Sequence, residues 1–178
     1  MAVQVALLRG INLGPNRRVP MGDLRDLLTG EGYGDVRTYV QSGNVVLSSR
    51  LSPHRLEQEL ERHVRSGFGI DIRVVVRTRD ELAAVVALNP LGDVADDPKR
   101  YQVSFLSAEP AAEAIRTIAA VDVAPERFAH HGREIYAWHP EGIHASALAK
   151  LISDRRLGVT ATARNWKTVT TLLAMADE

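Results

Sequence analysis

The first half of the chain alternates short apolar runs with longer stretches of helical period. Val3 to Leu8 is almost continuously apolar, as a strand buried on both faces would be. The segment Leu13-Gly14-Pro15-Asn16-Arg17-Arg18 breaks that run as a loop. Pro20 then suits a first helical position, and Met21, Leu24, Leu27 and Leu28 share a helical face that Gly30 and Gly32 stop. Val36 to Val40 and Val45 to Leu47 predict two strands joined by the polar turn Gln41-Ser42-Gly43-Asn44. Ser52-Pro53 starts a second helix, with Leu51 placed to staple onto Leu56, with Leu56, Leu60 and Val64 on one face, and with Gly67 and Gly69 at its end. Ile72 to Val76 is the next strand. Thr78 and Glu81 have capping-box spacing ahead of Leu82, Val85 and Val86, and that helix stops at Asn89-Pro90.

The second half repeats the order. Tyr101 to Leu106 predicts a strand, and Pro110 opens a helix with Ile115 and Ile118 inward. Arg127 to His130 and Glu134 to Trp138 predict two strands joined at His131-Gly132-Arg133. Ser146 starts a helix that Gly158 ends, Val159 to Ala163 predicts a last short strand, and Asn165 caps a terminal helix with Trp166, Val169, Leu172 and Leu173. Both halves therefore read β-α-β-β-α-β, the split βαβ order. The expected fold is α+β: two ferredoxin-like halves with antiparallel sheets, and an extra C-terminal helix. Gly92, Asp93, Asp96, Asp97 and Pro98 place a boundary over Leu91 to Pro98, between residues 1–90 and 99–178. The likeness of the halves lies in element order, without a residue-level repeat.

The composition narrows the function classes. At 178 residues and 45% hydrophobic, the chain can bury a substantial core. Lys+Arg 22 against Asp+Glu 22 gives no general attraction to nucleic acid or membrane. The only lysines are Lys99, Lys150 and Lys167, so the cations are mostly arginines; the guanidinium fork suits phosphate or carboxylate, although genome composition alone also produces such a bias. The absence of cysteine excludes disulfides, thiolate catalysis and Cys-ligated metals, and fits a cytoplasmic protein. No basic leader precedes a long apolar core, and no apolar run approaches ~20 residues, so neither a signal peptide nor a membrane span is expected.

In a β-α-β-β-α-β sheet the first two strands are parallel, with the third antiparallel between them and a right-handed crossover. Arg9-Gly10-Ile11-Asn12 and Gln41-Ser42-Gly43-Asn44 then leave the sheet at the same edge. That edge lies near the N-terminus of the first helix, where free N–H groups and the dipole favour anions. Arg17 and Arg18 lie in the same loop. The candidate ligand-binding set is Arg9, Gly10, Asn12, Arg17, Arg18, Gln41, Ser42 and Asn44. Each has a structural alternative: turn geometry for Gly10, Gly14 and Gly43, loop-backbone bonds for Asn12 and Asn44, and an ion pair with a carboxylate such as Asp35 for Arg9.

Several motifs together resemble a bacterial family of uncharacterised proteins, domain of unknown function 1697. They are Leu8-Arg9-Gly10-Ile11-Asn12, Val19-Pro20-Met21 with Leu24-Arg25, Tyr39-Val40-Gln41-Ser42-Gly43-Asn44, and Ala163-Arg164-Asn165-Trp166-Lys167-Thr168-Val169. The resemblance spans essentially the whole chain. The family's first motif usually ends Val-Gly-Gly, where this chain has Leu13-Gly14-Pro15, so the second glycine is missing. The resemblance implies an α+β, ferredoxin-like fold and no established activity.

Other chemistries are less well supported. Gln41-Ser42-Gly43-Asn44 is not a nucleophile elbow, and no His or Lys adjoins Ser42 in sequence. His130 and His131 point to opposite faces of a strand and make a poor metal pair; these, His139 and His144 read as surface turn residues. A Walker A loop is missing, and no cofactor or metal is expected. RNA-recognition domains stack bases on aromatics of their two central strands, and Val3 to Leu8 and Val45 to Leu47 carry none, so nucleic acid is disfavoured. The sequence thus points to binding of a small anionic ligand, with phosphate-bearing ligands in that class. A transferase or hydrolase using the same edge, and an interaction module without a ligand, are the alternatives, with monomer and homodimer both open.

Overall fold

The structure, a computed structural model, describes all 178 residues. The chain forms two compact units, Met1–Ala84 with Thr171–Glu178, and Val85–Thr170.

The first unit contains β1 (Ala2–Arg9), α1 (Met21–Gly30), β2 (Gly34–Tyr39), β3 (Asn44–Ser49), α2 (Pro53–Phe68) and β4 (Arg73–Thr78), and α3 (Arg79–Leu88) follows. Its sheet has the order β2-β3-β1-β4 and every pairing is antiparallel. This is the ferredoxin-like arrangement expected from the sequence. Alternate strand residues Ala6, Leu8, Val45, Leu47, Val74 and Val76 pack with Leu24, Leu28, Leu56, Leu60 and Val64 of the helices. Each such Val or Leu side chain contributes about 1.5–3 kcal/mol on burial. Val5, Leu7, Val46 and Val75, which point to the other face, are buried too. Burial on both faces is why β1 has no polar alternation.

Local chemistry sets the helix ends. Ser52 Oγ accepts from Arg55 N–H at 3.4 Å, Pro53 opens α2, and Gly69 closes it in the left-handed conformation. Thr78 and Glu81 form the expected capping box: Thr78 N–H donates to Glu81 Oε2 at 2.8 Å and Glu81 N–H to Thr78 Oγ1 at 3.1 Å. Along the free side of β4, Val74 N–H donates to Glu61 Oε1 at 3.0 Å and Val76 N–H to Glu57 Oε1 at 2.9 Å.

The second unit contains β5 (Tyr101–Leu106), α4 (Ala112–Ala119), β6 (Arg127–His131), β7 (Glu134–Trp138), α5 (Ala147–Leu151), α6 (Asp154–Leu157) and β8 (Ala161–Asn165). Its order, β6-β7-β5-β8, is the counterpart of the first and again wholly antiparallel. Leu106, Ile118, Ile135, Ala137, Leu148 and Leu157 form its helix-side core. The single helix expected after Ser146 is two, because Ile152 leaves the helical conformation at φ −87, ψ 75. The last strand lies two residues later than expected, and its start is held by Ala161 N–H donating to Asp154 Oδ1 at 3.0 Å. The stretch Leu91 to Pro98 lies inside this unit. Turn bonds such as Ala95 N–H to Leu91 O, 2.9 Å, and Tyr101 N–H to Asp97 O, 3.2 Å, lead it into β5.

The last helix, α7 (Trp166–Asp177), is capped by Asn165, whose Oδ1 accepts from Thr168 N–H at 2.9 Å. The Trp166 ring stacks on Tyr101 with centroids 4.8 Å apart. Asn165→Ala is therefore expected to cost about 1 kcal/mol, measured as a shift in denaturant midpoint at unchanged slope.

Candidate functional site

Asn12 organises the loop between β1 and α1. Its backbone is left-handed at φ 54, a conformation asparagine tolerates better than most residues. Its N–H donates to Arg17 O at 2.8 Å. Its side-chain Nδ2 donates to Val19 O at 3.0 Å and to Gln41 O at 2.7 Å, while Oδ1 accepts from Val19 N–H at 2.8 Å. One amide side chain thus ties the loop to itself and to the β2–β3 turn. Arg17 is likewise engaged, with Nε donating to Gly10 O at 2.6 Å and Nη2 to Asp71 O at 2.8 Å.

The β2–β3 turn is closed from within. Asn44 is the first residue of β3 and is buried, with Nδ2 donating to Tyr39 O at 3.1 Å and to Ser42 Oγ at 3.3 Å. β2 ends at Tyr39, one residue short of the sequence expectation, because Val40 turns left-handed at φ 50 and is exposed. Leu8 N–H donates to Gly43 O at 2.8 Å, which fastens the turn to the end of β1. The two polar segments do meet at one edge of the sheet.

A groove of about 710 Å3 opens there, lined by Asn12, Gly14, Pro15, Arg18, Pro20 and Gln41. Of the eight candidate residues, Asn12, Arg18 and Gln41 line it. Arg18 and Gln41 are exposed, and the groove meets α1 at Pro20, the N-cap position, which supplies no side-chain cap to the helix. Arg9, Gly10, Arg17, Ser42 and Asn44 do not line it. Arg9 is exposed at the end of β1, opposite Arg73 of β4.

A second polar cluster, in the other unit, escaped the sequence reading. His139 is not a surface turn residue: it is 2% exposed, just past β7. Its Nδ1 lies 2.7 Å from Glu126 Oε1 and 2.9 Å from Ser146 Oγ. Ser146 Oγ also donates to Glu126 Oε1 and accepts from Ala149 N–H at 2.8 Å, and Leu148 N–H donates to Glu126 Oε2 at 3.0 Å. Burial alone would raise the Glu126 carboxyl, but the bonds from His139, Ser146 and Leu148 outweigh it and hold the group below its ordinary value. Serine and carboxylate both meet the same ring nitrogen, whereas a nucleophile relay needs them on opposite nitrogens. The cluster caps α5. The sequence signal was Ser146 as an N-cap; its partners lie up to 20 residues away.

Unlike β1 and β3 of the first sheet, the central strands of the second sheet carry aromatics, namely Tyr101, Phe105, Tyr136 and Trp138. All four are buried, so they offer no open stacking surface. No group of three His, Asp or Glu side chains is placed to hold a metal ion. No helix is long and apolar enough to cross a membrane.

Comparison with known proteins agrees with this architecture. No curated protein matches the chain. Among solved structures, the conserved bacterial protein SP0830 of Streptococcus pneumoniae is similar in fold, with a TM-score of 0.78 and 24% identity over 100% of this chain and 99% of that one. The family model of the proteins of unknown function DUF1697 matches residues 1–136, and the chain belongs to that family.

Proposed function

We propose that the first unit binds a small anionic ligand in the groove beside Arg18 and Gln41. The observation that carries this reading is the start of α1, where Pro20 leaves the first helical N–H groups without a side-chain cap and Arg18 stands beside them. Asn12 in the groove wall, and Arg17 and Asn44 behind it, fix the loop and the turn through their hydrogen bonds. Gly10 and Ser42 accept bonds from Arg17 and Asn44 in the same framework, and a phosphate-bearing ligand suits the guanidinium. With no cysteine and no helix long and apolar enough to cross a membrane, the cytoplasm is the compartment we propose.

Inorganic phosphate is the first probe. The stability of the wild type to thermal unfolding is expected to rise with phosphate, by about 2.7 kcal/mol at a hundred times the dissociation constant. Arg18→Ala is expected to abolish that rise while costing the fold about 0.5 kcal/mol or less. A wild type indifferent to phosphate, relative to chloride at equal ionic strength, would overturn the proposal. It would favour the second reading, a module without a ligand, which the mutual saturation of Asn12 and its loop supports.

A further inference from the structure

The groove beside Arg18 and Gln41 is larger than a lone anion needs. At about 710 Å3 it is in the range that takes a drug-sized molecule. Among its lining residues Arg18 is the one charged group, and the Asn12 amide is already bonded within the chain. Gly14, Pro15 and Pro20 complete the wall, and proline has no amide hydrogen to offer a ligand.

Two large apolar side chains stand in water beside this groove. Leu13 is 83% exposed, the most exposed large hydrophobic residue of the chain, and Val40 is 52% exposed. Leu13 lies between Asn12 and Gly14 in sequence and Val40 precedes Gln41, so each adjoins lining residues. The bond from Asn12 Nδ2 to Gln41 O, at 2.7 Å, holds the loop and the turn side by side. A surface leucine standing alone needs no explanation, whereas these two residues reach one groove from separate segments.

Val40 carries a further mark. Its backbone is left-handed at φ 50, an outlier for a β-branched residue. Asparagine or glycine would hold the same turn with less strain and a better solvated side chain. Folding alone therefore favours another residue there, and an apolar ligand surface accounts for the valine.

We propose, on the reading that this groove takes an anion, that its ligand is amphiphilic: an anionic head, phosphate or carboxylate, on an apolar body of alkyl type. The head goes to the Arg18 guanidinium, whose fork suits either group, with the Gln41 amide beside it. The body lies on Pro15 and Pro20 and is covered by Leu13 and Val40 at the rim. A nucleotide suits the groove less well, because none of the lining residues is aromatic and a base would have no stacking partner.

The test is isothermal titration of the full chain with octyl phosphate and octanoate, each below its micelle concentration. Inorganic phosphate and acetate, which lack the chain, and octanamide, which lacks the charge, are the comparisons. At least one of the two amphiphiles is expected to bind saturably at about 1 mM or tighter, and at least about tenfold tighter than its chainless head. Burial of about two methylenes is enough for that factor. Whichever of the two binds tighter assigns the head group. Leu13→Ser should bring the amphiphile down toward its chainless head, and Arg18→Ala should bring it down to octanamide. Val40→Asn separates binding from folding: it should unfold at a higher temperature than the wild type yet bind the amphiphile more weakly. If inorganic phosphate binds and neither amphiphile binds tighter than its head, the proposal is overturned while the anion groove stands. If none of the anions binds, both are overturned. Octanamide binding as tightly as octanoate, or wild-type affinity in Leu13→Ser, also overturns the proposal.

Discussion

Glu126→Ala is expected to lower stability by about 2–4 kcal/mol, because it strips acceptors from three donors at once. His139 Nδ1, Ser146 Oγ and Leu148 N–H all meet this carboxylate, and His139 and Ser146 are buried where water cannot readily replace it. Urea unfolding followed by circular dichroism measures the loss. The pH dependence separates charge from shape. The Glu126 carboxyl is held below its ordinary value in the fold. Its contribution is therefore complete above the unfolded carboxyl value of about 4.3 and is lost as pH falls through the folded one. Wild type and Glu126→Gln should differ most near neutrality and converge in acid. A gap that stays constant from neutral to acid pH would show that the carboxylate charge contributes nothing.

Gly43→Ala should be comparably damaging, about 3 kcal/mol, for a different reason. Gly43 has φ 77, and an added Cβ would come to 2.8 Å from Leu8 Cβ and 2.9 Å from Ile11 Cδ1. The left-handed backbone costs a non-glycine residue about 1–2 kcal/mol, and forced overpacking about 1–3 more. Neither neighbour yields easily, since Leu8 is in the middle of the core and Ile11 begins the loop that Asn12 ties down. Gly14→Ala is the control: an added Cβ there meets nothing within 4 Å. Equal midpoints for the two variants would show that the turn can shift and that close packing at Gly43 is not what fixes it.

The local parts of this fold were legible in the chain. Ser52-Pro53, Thr78 with Glu81, Ser146 and Asn165 all cap the helices their spacing predicted, since a cap is decided within about four residues. The sheet order followed from two repeats of β-α-β-β-α-β and the rules of connection. What stayed hidden depends on partners distant in sequence. His139 looks like a turn residue until Glu126 and Ser146 fold against it. Asn44 reads as turn polarity, whereas β3 is buried along its whole length and the asparagine is enclosed with it. At the candidate edge, residue types suggested eight ligand-facing groups. Only the hydrogen bonds show that Asn12, Arg17 and Asn44 have their polar atoms committed to the chain.

The carboxylates beside β4 bear on how copies of this chain can associate. A strand at the rim of a sheet usually presents a row of vacant amide donors, an invitation to further strands. Here Val74, Val76 and Thr78 each deliver that donor to a glutamate, Glu61, Glu57 and Glu81 in turn. An arriving strand would have to displace three charged acceptors and offer neutral carbonyls instead, an unfavourable exchange. Growth of this sheet by edge-to-edge polymerisation is therefore closed on the β4 side. The remaining rim is β2, where the register slips between Gly34 and Arg37 and breaks the regular template that amyloid-like stacking requires.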